Sequence, residues 1–222
     1  MSAEISIEIV SDYVCPWCYV GKRRLEKVLE SRPDLQVEIR WSPFQLSPQM
    51  PREGVDRVEH YNELFGEERA TAIMESMQQT GADEGIAFGY KPGARSPNTL
   101  LAHTLMYRAS HDESIDQDSL AEKLFHAHHV DCSDIGDLDV LTEIASEAGM
   151  QPEQVRTELG SGQDEGNVHK QVQFAQEKGV TGVPFFILNG RYALSGAQPV
   201  EVMRDVLDQV LAAEASDQEE SK

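Results

Sequence analysis

The sequence predicts an α/β fold in which a long all-helical insertion divides a small mixed core. Three observations carry that expectation. Two alternating apolar runs, Ile5, Ile7, Ile9 and then Leu35, Val37, Ile39, Trp41, bracket a helical pattern with Leu25, Val28 and Leu29 on one face. From residue 47 to about residue 162, helical periodicity takes over. After it come one more helix and two apolar runs separated by Asn189-Gly190, a strong hairpin signal.

The first strand delivers the chain into SDYVCPWCYVGKRR, residues 11–24. Cys15 and Cys18 sit three apart at the start of the first helix, on one face and within reach of each other. A helix N-terminus carries unpaired N–H groups and about half a positive charge, which favours a thiolate. The Cys15 thiol is therefore expected below the free value of about 8.5. Pro16 suits the first helical position, where its missing N–H has no partner to lose. An exposed thiolate backed by a resolving thiol is the minimum equipment for thiol–disulfide exchange. Asp12 has two readings: a nearby charge that raises a thiol, or an acceptor for the Cys18 proton. The competing uses of such a pair are weaker. A structural zinc site needs more ligands than two, and a disulfide closing so short a loop removes little chain entropy.

Pro33-Asp34 ends the first helix, and the second strand stops at Pro43. Strand, helix, strand makes a βαβ unit with parallel strands. In the insertion, helices are expected near 55–65, 67–80, 97–110, 119–128, 138–148 and 152–159, with Ser96 capping the third ahead of Pro97 and Gly149 stopping the fifth. Residues 86–88 are the one weak strand candidate there. Residues 165–178 form a helix carrying Val168, Val172 and Ala175 on one face, stopped by Gly179. Pro184 heads the next strand. Residues 198–213 form a last amphipathic helix with Val202, Val206 and Val210 in register. The expected organisation is a core of 1–46 and 163–214, an insertion of 47–162, and an acidic disordered tail of 215–222.

Across 222 residues, 39 acidic side chains stand against 19 basic ones, a net charge of −20. That balance argues against nucleic acid and against an anionic membrane surface as partners. It fits adaptation to a high-salt cytoplasm, where screening relaxes like-charge repulsion; the plainer alternative is an acidic, soluble protein. A 40% hydrophobic chain of this length can bury a sizeable core. No run approaches a membrane span. MSAEISIEIV has neither the cationic segment nor the apolar stretch of a signal peptide, so the expected location is the cytoplasm. Disulfides there are usually transient and catalytic.

The stretches SDYVCPWCYVGKRRLE, WSPFQLSPQMPREGVDR, SPNTLLAH, IGDLDVL and GVTGVPFFILNGRYALSGAQP resemble the FrnE-type thiol–disulfide oxidoreductases of the DsbA family, over most of the chain from residue 5 to about 210. The resemblance implies a thioredoxin-like core with a DsbA-like helical insertion. It implies that Cys15 attacks, that Cys18 resolves, and that Trp17 flanks the reactive sulfur. It implies a cis bond before Pro184, facing the cysteines, with the Val183 backbone pairing with an extended substrate. No cofactor beyond the Cys15–Cys18 disulfide is implied, though glutathione is possible; partners would be protein or small-molecule thiols and disulfides, acting on a monomer or homodimer. Trp17 offers no imidazolium to a thiolate, unlike the histidine at that place in periplasmic DsbA. The pair is therefore expected to be less oxidising than roughly −120 mV, toward the roughly −270 mV of thioredoxin. The same branch holds 2-hydroxychromene-2-carboxylate isomerases and kappa-class glutathione transferases, which place a serine where Cys15 stands. They also carry a glutathione-binding Asp near the final hairpin, where this chain reads Leu194-Ser195-Gly196-Ala197-Gln198. A glutathione-dependent isomerase or transferase is thus the alternative reading, and a non-enzymatic binding module a third.

Other residues have competing readings. His126, His128, His129 and Cys132 in HAHHVDC are either metal-competent or, more plainly, a solvated helix end; no metal site is expected. Asn98 and His103 are possible cleft residues or packed helix residues. Trp41 and Phe44 read as core. Arg23-Arg24 reads as a solvated face with one member able to tune Cys15. Met50, Met74, Met77 and Met106 read as packing.

Overall fold

A computed structural model describes residues 4–220 of the protein. Strand β1 (Glu4–Ser11) buries Ile5, Ile7 and Ile9, then feeds helix α1 (Pro16–Glu30) and strand β2 (Gln36–Pro43). The insertion follows: β3 (Val55–Asp56), α2 (Arg57–Phe65), α3 (Glu67–Asp83), β4 (Arg95–Ser96), α4 (Leu100–Ala109), α5 (Gln117–His126), a π turn (Ala127–Asp131), α6 (Leu138–Glu147) and α7 (Pro152–Ser161). Helix α8 (Glu165–Glu177), the hairpin β5 (Phe185–Leu188) and β6 (Tyr192–Ser195), and α9 (Val200–Glu220) complete the chain.

The main sheet has the order β2-β1-β5-β6. β1 and β2 are parallel, with Ile7 opposite Ile39 and Ile9 opposite Trp41. β5 is antiparallel to both β1 and β6. This is the expected α/β architecture with its helical insertion. The insertion does not keep a core of its own. One apolar cluster joins Ile5 and Ile7 of β1 and Val28 of α1 to Leu105 of α4, Leu124 of α5 and Leu141 of α6. Trp41 and Phe44 are buried as expected.

Several local expectations give way to tertiary context. Residues 86–88 form no strand; they cross against Gly81, where an added Cβ would collide with the Phe88 ring. The insertion's ladder is instead β3 with β4, where Val55 lies opposite Ser96. Ser96 is therefore a strand residue rather than a cap, and α4 starts only at Leu100. In α9 the buried face is Met203, Leu207 and Val210, while Val202 is exposed. The acidic tail is not disordered up to Glu220: α9 continues through it, held where Arg191 reaches Asp217 at 2.8 Å and Glu214 at 3.4 Å. Alanines 212, 213 and 215 favour that continuation. Residues 221–222 of the expected tail lie outside the described residues.

Candidate active site

Cys15 occupies the N-cap of α1, in an extended conformation (φ −83°, ψ 110°), and Pro16 takes the first turn. Its side chain does not cap the helix, and the Cys18 N–H donates to Cys15 O at 3.0 Å. The Cys15 backbone donates to Asp12 O at 3.0 Å, which closes the turn between β1 and α1. Cys18 lies behind Cys15, buried in the core, and both are free thiols. Burial above all, then the Cys15 sulfur beside it, pushes the Cys18 thiol well above its ordinary value. The inner sulfur is therefore held protonated.

The Val183–Pro184 bond is cis. It brings Val183 O to 3.7 Å from Cys15 Sγ. Pro184 and α1 approach closely at Gly21: a Cβ there would sit 3.0 Å from Pro184 Cγ and 3.2 Å from Phe186 Cζ. The absent side chain of Gly21 thus allows the reactive helix and the head of β5 to touch.

Asp12 is fully buried, and its oxygens are committed. Oδ2 accepts from Leu46 N at 2.8 Å, and Oδ1 lies 3.3 Å from His103 Nε2. Asp12 meets Cys18 through its backbone N–H. Neither expected role of the carboxylate, raising a thiol or taking its proton, is what its contacts describe; it pins the exit of β2 to the site. His103 is packed beneath it against Tyr13, with ring centroids 5.0 Å apart, rather than lining an open cleft. Asn98 also serves the frame: its side chain donates to Met50 O at 2.6 Å and accepts from Leu100 N at 2.9 Å.

Cys15, Pro16 and Trp17 line a mainly apolar cavity of about 350 Å³ between α1 and the insertion, and Cys15 is buried there rather than exposed as expected. Trp17 is 44% exposed, and Leu46, Leu64 and Phe65 extend the apolar rim. Met50 and Met77 line the interior, so Met50 is cleft wall as well as packing. A larger groove of about 840 Å³ beside Tyr107, Arg108 and Gln154 contains no cysteine.

The inner wall holds Arg57, which the sequence did not single out, beside two histidines that it did. Arg57, at the start of α2, donates Nε and Nη2 to Arg95 O and Nη2 to His128 O. His128 and His129 lie on the π turn and are buried, not a solvated helix end; His126 is exposed and pairs with Asp131 at 3.0 Å. Burial, then the charge of Arg57, pushes His129 down to about 3. Burial, His129 and Arg57 push His128 well below its ordinary value. Both rings are neutral at pH 7. Cys132 sits just past the turn in the left-handed region (φ 62°), with its thiol directed at Gly89 O. Among the described residues no three His, Cys, Asp or Glu side chains converge as a metal set. Arg23 and Arg24 are not a solvated face: Arg23 pairs with Glu26 and Glu122, and Arg24 with Glu84 and Ala197 O. The HAHH run was visible in sequence, but its inward direction depends on the π turn, which no local pattern signals.

A four-stranded mixed sheet, a dithiol at the tip of its first helix and a cis-proline loop against it define the thioredoxin class with an inserted helical domain. A family model of the DSBA-like thioredoxin domain matches residues 6–208, and the chain belongs to that family. The structure of a probable DsbA oxidoreductase from Streptomyces coelicolor is similar at 31% identity and a TM-score of 0.84, covering 92% of this chain and 89% of that one. The cytosolic disulfide reductase DsbM from Pseudomonas aeruginosa shares the fold at 18% identity and a TM-score of 0.63, over 94% of this chain and 99% of that one. The Bacillus subtilis protein YwbO is 26% identical over 204 residues, 91% of this chain and 96% of the relative.

Proposed function

We propose that the protein is a FrnE-type thiol–disulfide oxidoreductase working through the Cys15-Pro16-Trp17-Cys18 dithiol. The observation that carries this reading is the asymmetry of the two sulfurs. Cys15 stands at the helix tip, lines the cleft and lies 3.7 Å from Val183 O, while Cys18, outside the cleft lining, is held protonated behind it. Cys15 as thiolate attacks a substrate disulfide R–S–S–R′, forming Cys15–S–S–R and releasing R′S⁻. Cys18 then loses its proton and attacks the Cys15 sulfur, releasing RS⁻ and leaving the Cys15–Cys18 disulfide. Two electrons pass from the dithiol to the substrate. Read backwards, the same steps oxidise a dithiol. The Val183 backbone, beside Cys15, is where an extended substrate would pair. No cofactor beyond this dithiol is needed, and the place of work is the cytoplasm.

The test is reduction of a protein disulfide driven by dithiothreitol. Cys15→Ala is expected to abolish it, and Cys18→Ala to accumulate mixed disulfides visible by mass spectrometry. Activity that survives Cys15→Ala and requires glutathione would instead support the isomerase or transferase reading. Equilibration with glutathione is expected to place the pair between roughly −270 and −120 mV; a value at the DsbA extreme contradicts the role given to Trp17.

A further inference from the structure

The cleft beside Cys15 contains a charge without a counter-charge. Arg57 is only 4% exposed. Its hydrogen-bond partners are the neutral carbonyls of Arg95 and His128, with His128 Nδ1 at 3.2 Å. Among the described residues no carboxylate lies within ion-pair distance of it, and Nη1 has no hydrogen-bond partner. Nor does any Asp or Glu line the cleft, in a chain with 39 acidic residues. Buried charges are ordinarily paired, because leaving one unpaired in a low-dielectric site is costly. A second group is also unsatisfied: His129 Nε2, on the same wall, is buried with no partner. Tyr61 lines the same cleft as Arg57 and Cys15, so the cation and the nucleophile border one space. The rest of the wall is mainly apolar, with Ser47, His60, Tyr90, Ser96 and His128 as its other polar side chains. About 350 Å³ is at the small end for ligand sites and accepts a small molecule rather than a folded partner.

We propose that this cleft binds small, largely apolar disulfides and thiols carrying one carboxylate, the carboxylate pairing with Arg57 and the sulfur lying against Cys15. The planar guanidinium fits a carboxylate through its free Nη1 edge. His129 Nε2 accepts a hydrogen bond from a donor on the ligand. The chemistry rests on the exchange reading of Cys15, but the binding does not. In the reaction, the bound disulfide is the oxidant and the Cys15–Cys18 dithiol the reductant, with the carboxylate-bearing half either captured on Cys15 or released as its thiolate. Turnover requires a dithiol reductant to restore the pair.

The experiment uses the full-length reduced protein in high salt, so that the net charge is screened. Stoichiometric reaction of Cys15 is followed with dithiobis(nitrobenzoate), an aromatic disulfide with carboxylates, and with dithiodipyridine, a neutral one. Arg57→Gln is expected to raise the half-saturating concentration of the first by roughly tenfold or more, with less than about a twofold change for the second. Arg57→Lys should fall between. Equal losses on both disulfides, or none on the first, overturn the proposal. Should Arg57→Gln fail to fold, the wild-type protein decides. Nitrobenzoate, which has no sulfur, is expected to protect Cys15 from iodoacetamide, and uncharged nitrobenzamide is not; equal protection or no protection overturns it. Selective protection by nitrobenzoate without exchange on either disulfide upholds the anion site and removes the oxidoreductase reading. Exchange with dithiodipyridine and no carboxylate preference does the reverse.

Discussion

At the scale of single residues, the site depends on two sulfurs that differ in environment although they share a helix turn. Both are buried, but Cys15 lines the cleft and Cys18 does not, and burial together with the Cys15 sulfur keeps the Cys18 proton on. Iodoacetamide at neutral pH is therefore expected to alkylate Cys15 and spare Cys18 in the reduced protein, as peptide mapping would show. Equal labelling of both would contradict the division of labour. The cysteines and Pro184 were legible in the sequence because their spacing and punctuation are local. Asp12 was legible as a neighbour but not in its role, since its partners Leu46 and His103 come from distant parts of the chain. Arg57 carried no signal at all. An arginine beginning a helix looks solvated until α2, β4 and the π turn close around it.

At the scale of elements, two junctions make the site. The first is α1 against the head of β5. Gly21→Ala would put a methyl 3.0 Å from Pro184 Cγ and 3.2 Å from Phe186 Cζ, both buried. The expected cost is about 1–3 kcal/mol in urea unfolding, with slower exchange at Cys15 as the loop is pushed away. The second junction is the π turn, which aims His128 and His129 inward. Their folded values lie below the unfolded value of about 6.5, near 3 for His129. Between those limits the unfolded chain binds more protons than the folded one. Stability is thus complete above about pH 6.5 and falls as the pH drops toward 3, by up to about 1.4 kcal/mol per pH unit for each histidine. His129→Gln should flatten that slope between pH 6.5 and 4, as read from urea midpoints. An unchanged slope would mean that His129 does not carry it.

At the scale of the whole molecule, a net charge of −20 works against compaction, and the apolar core joining β1, α1 and α4 to α6 opposes it. Raising the ionic strength from 0.1 to 1 M shortens the screening length from about 10 to about 3 Å. The melting temperature is expected to rise over that range in sodium chloride, reflecting relief of repulsion. A fall would show that ion pairs such as Arg108 with Glu158 and Arg52 with Glu165 outweigh the self-repulsion. Because the core runs through both the sheet and the insertion, thermal unfolding should be a single transition. Two resolved transitions would show that the sequence boundaries at 47 and 162 mark independent units.

Short-range features of the chain were enough to specify the strand–dithiol–helix unit, the parallel βαβ start, the Asn189-Gly190 hairpin and most helices, because periodicity and turn chemistry act over a few residues. What required the folded chain was the contact of Gly21 with Pro184, the burial of Asp12 and His103, the short β3–β4 ladder, and the unpaired Arg57 in the cleft wall. Each joins segments at least 34 residues apart, Asp12 and Leu46 being the nearest such pair. The physical reason is that burial and charge pairing are properties of surroundings, and the surroundings of a side chain exist only once distant elements have packed.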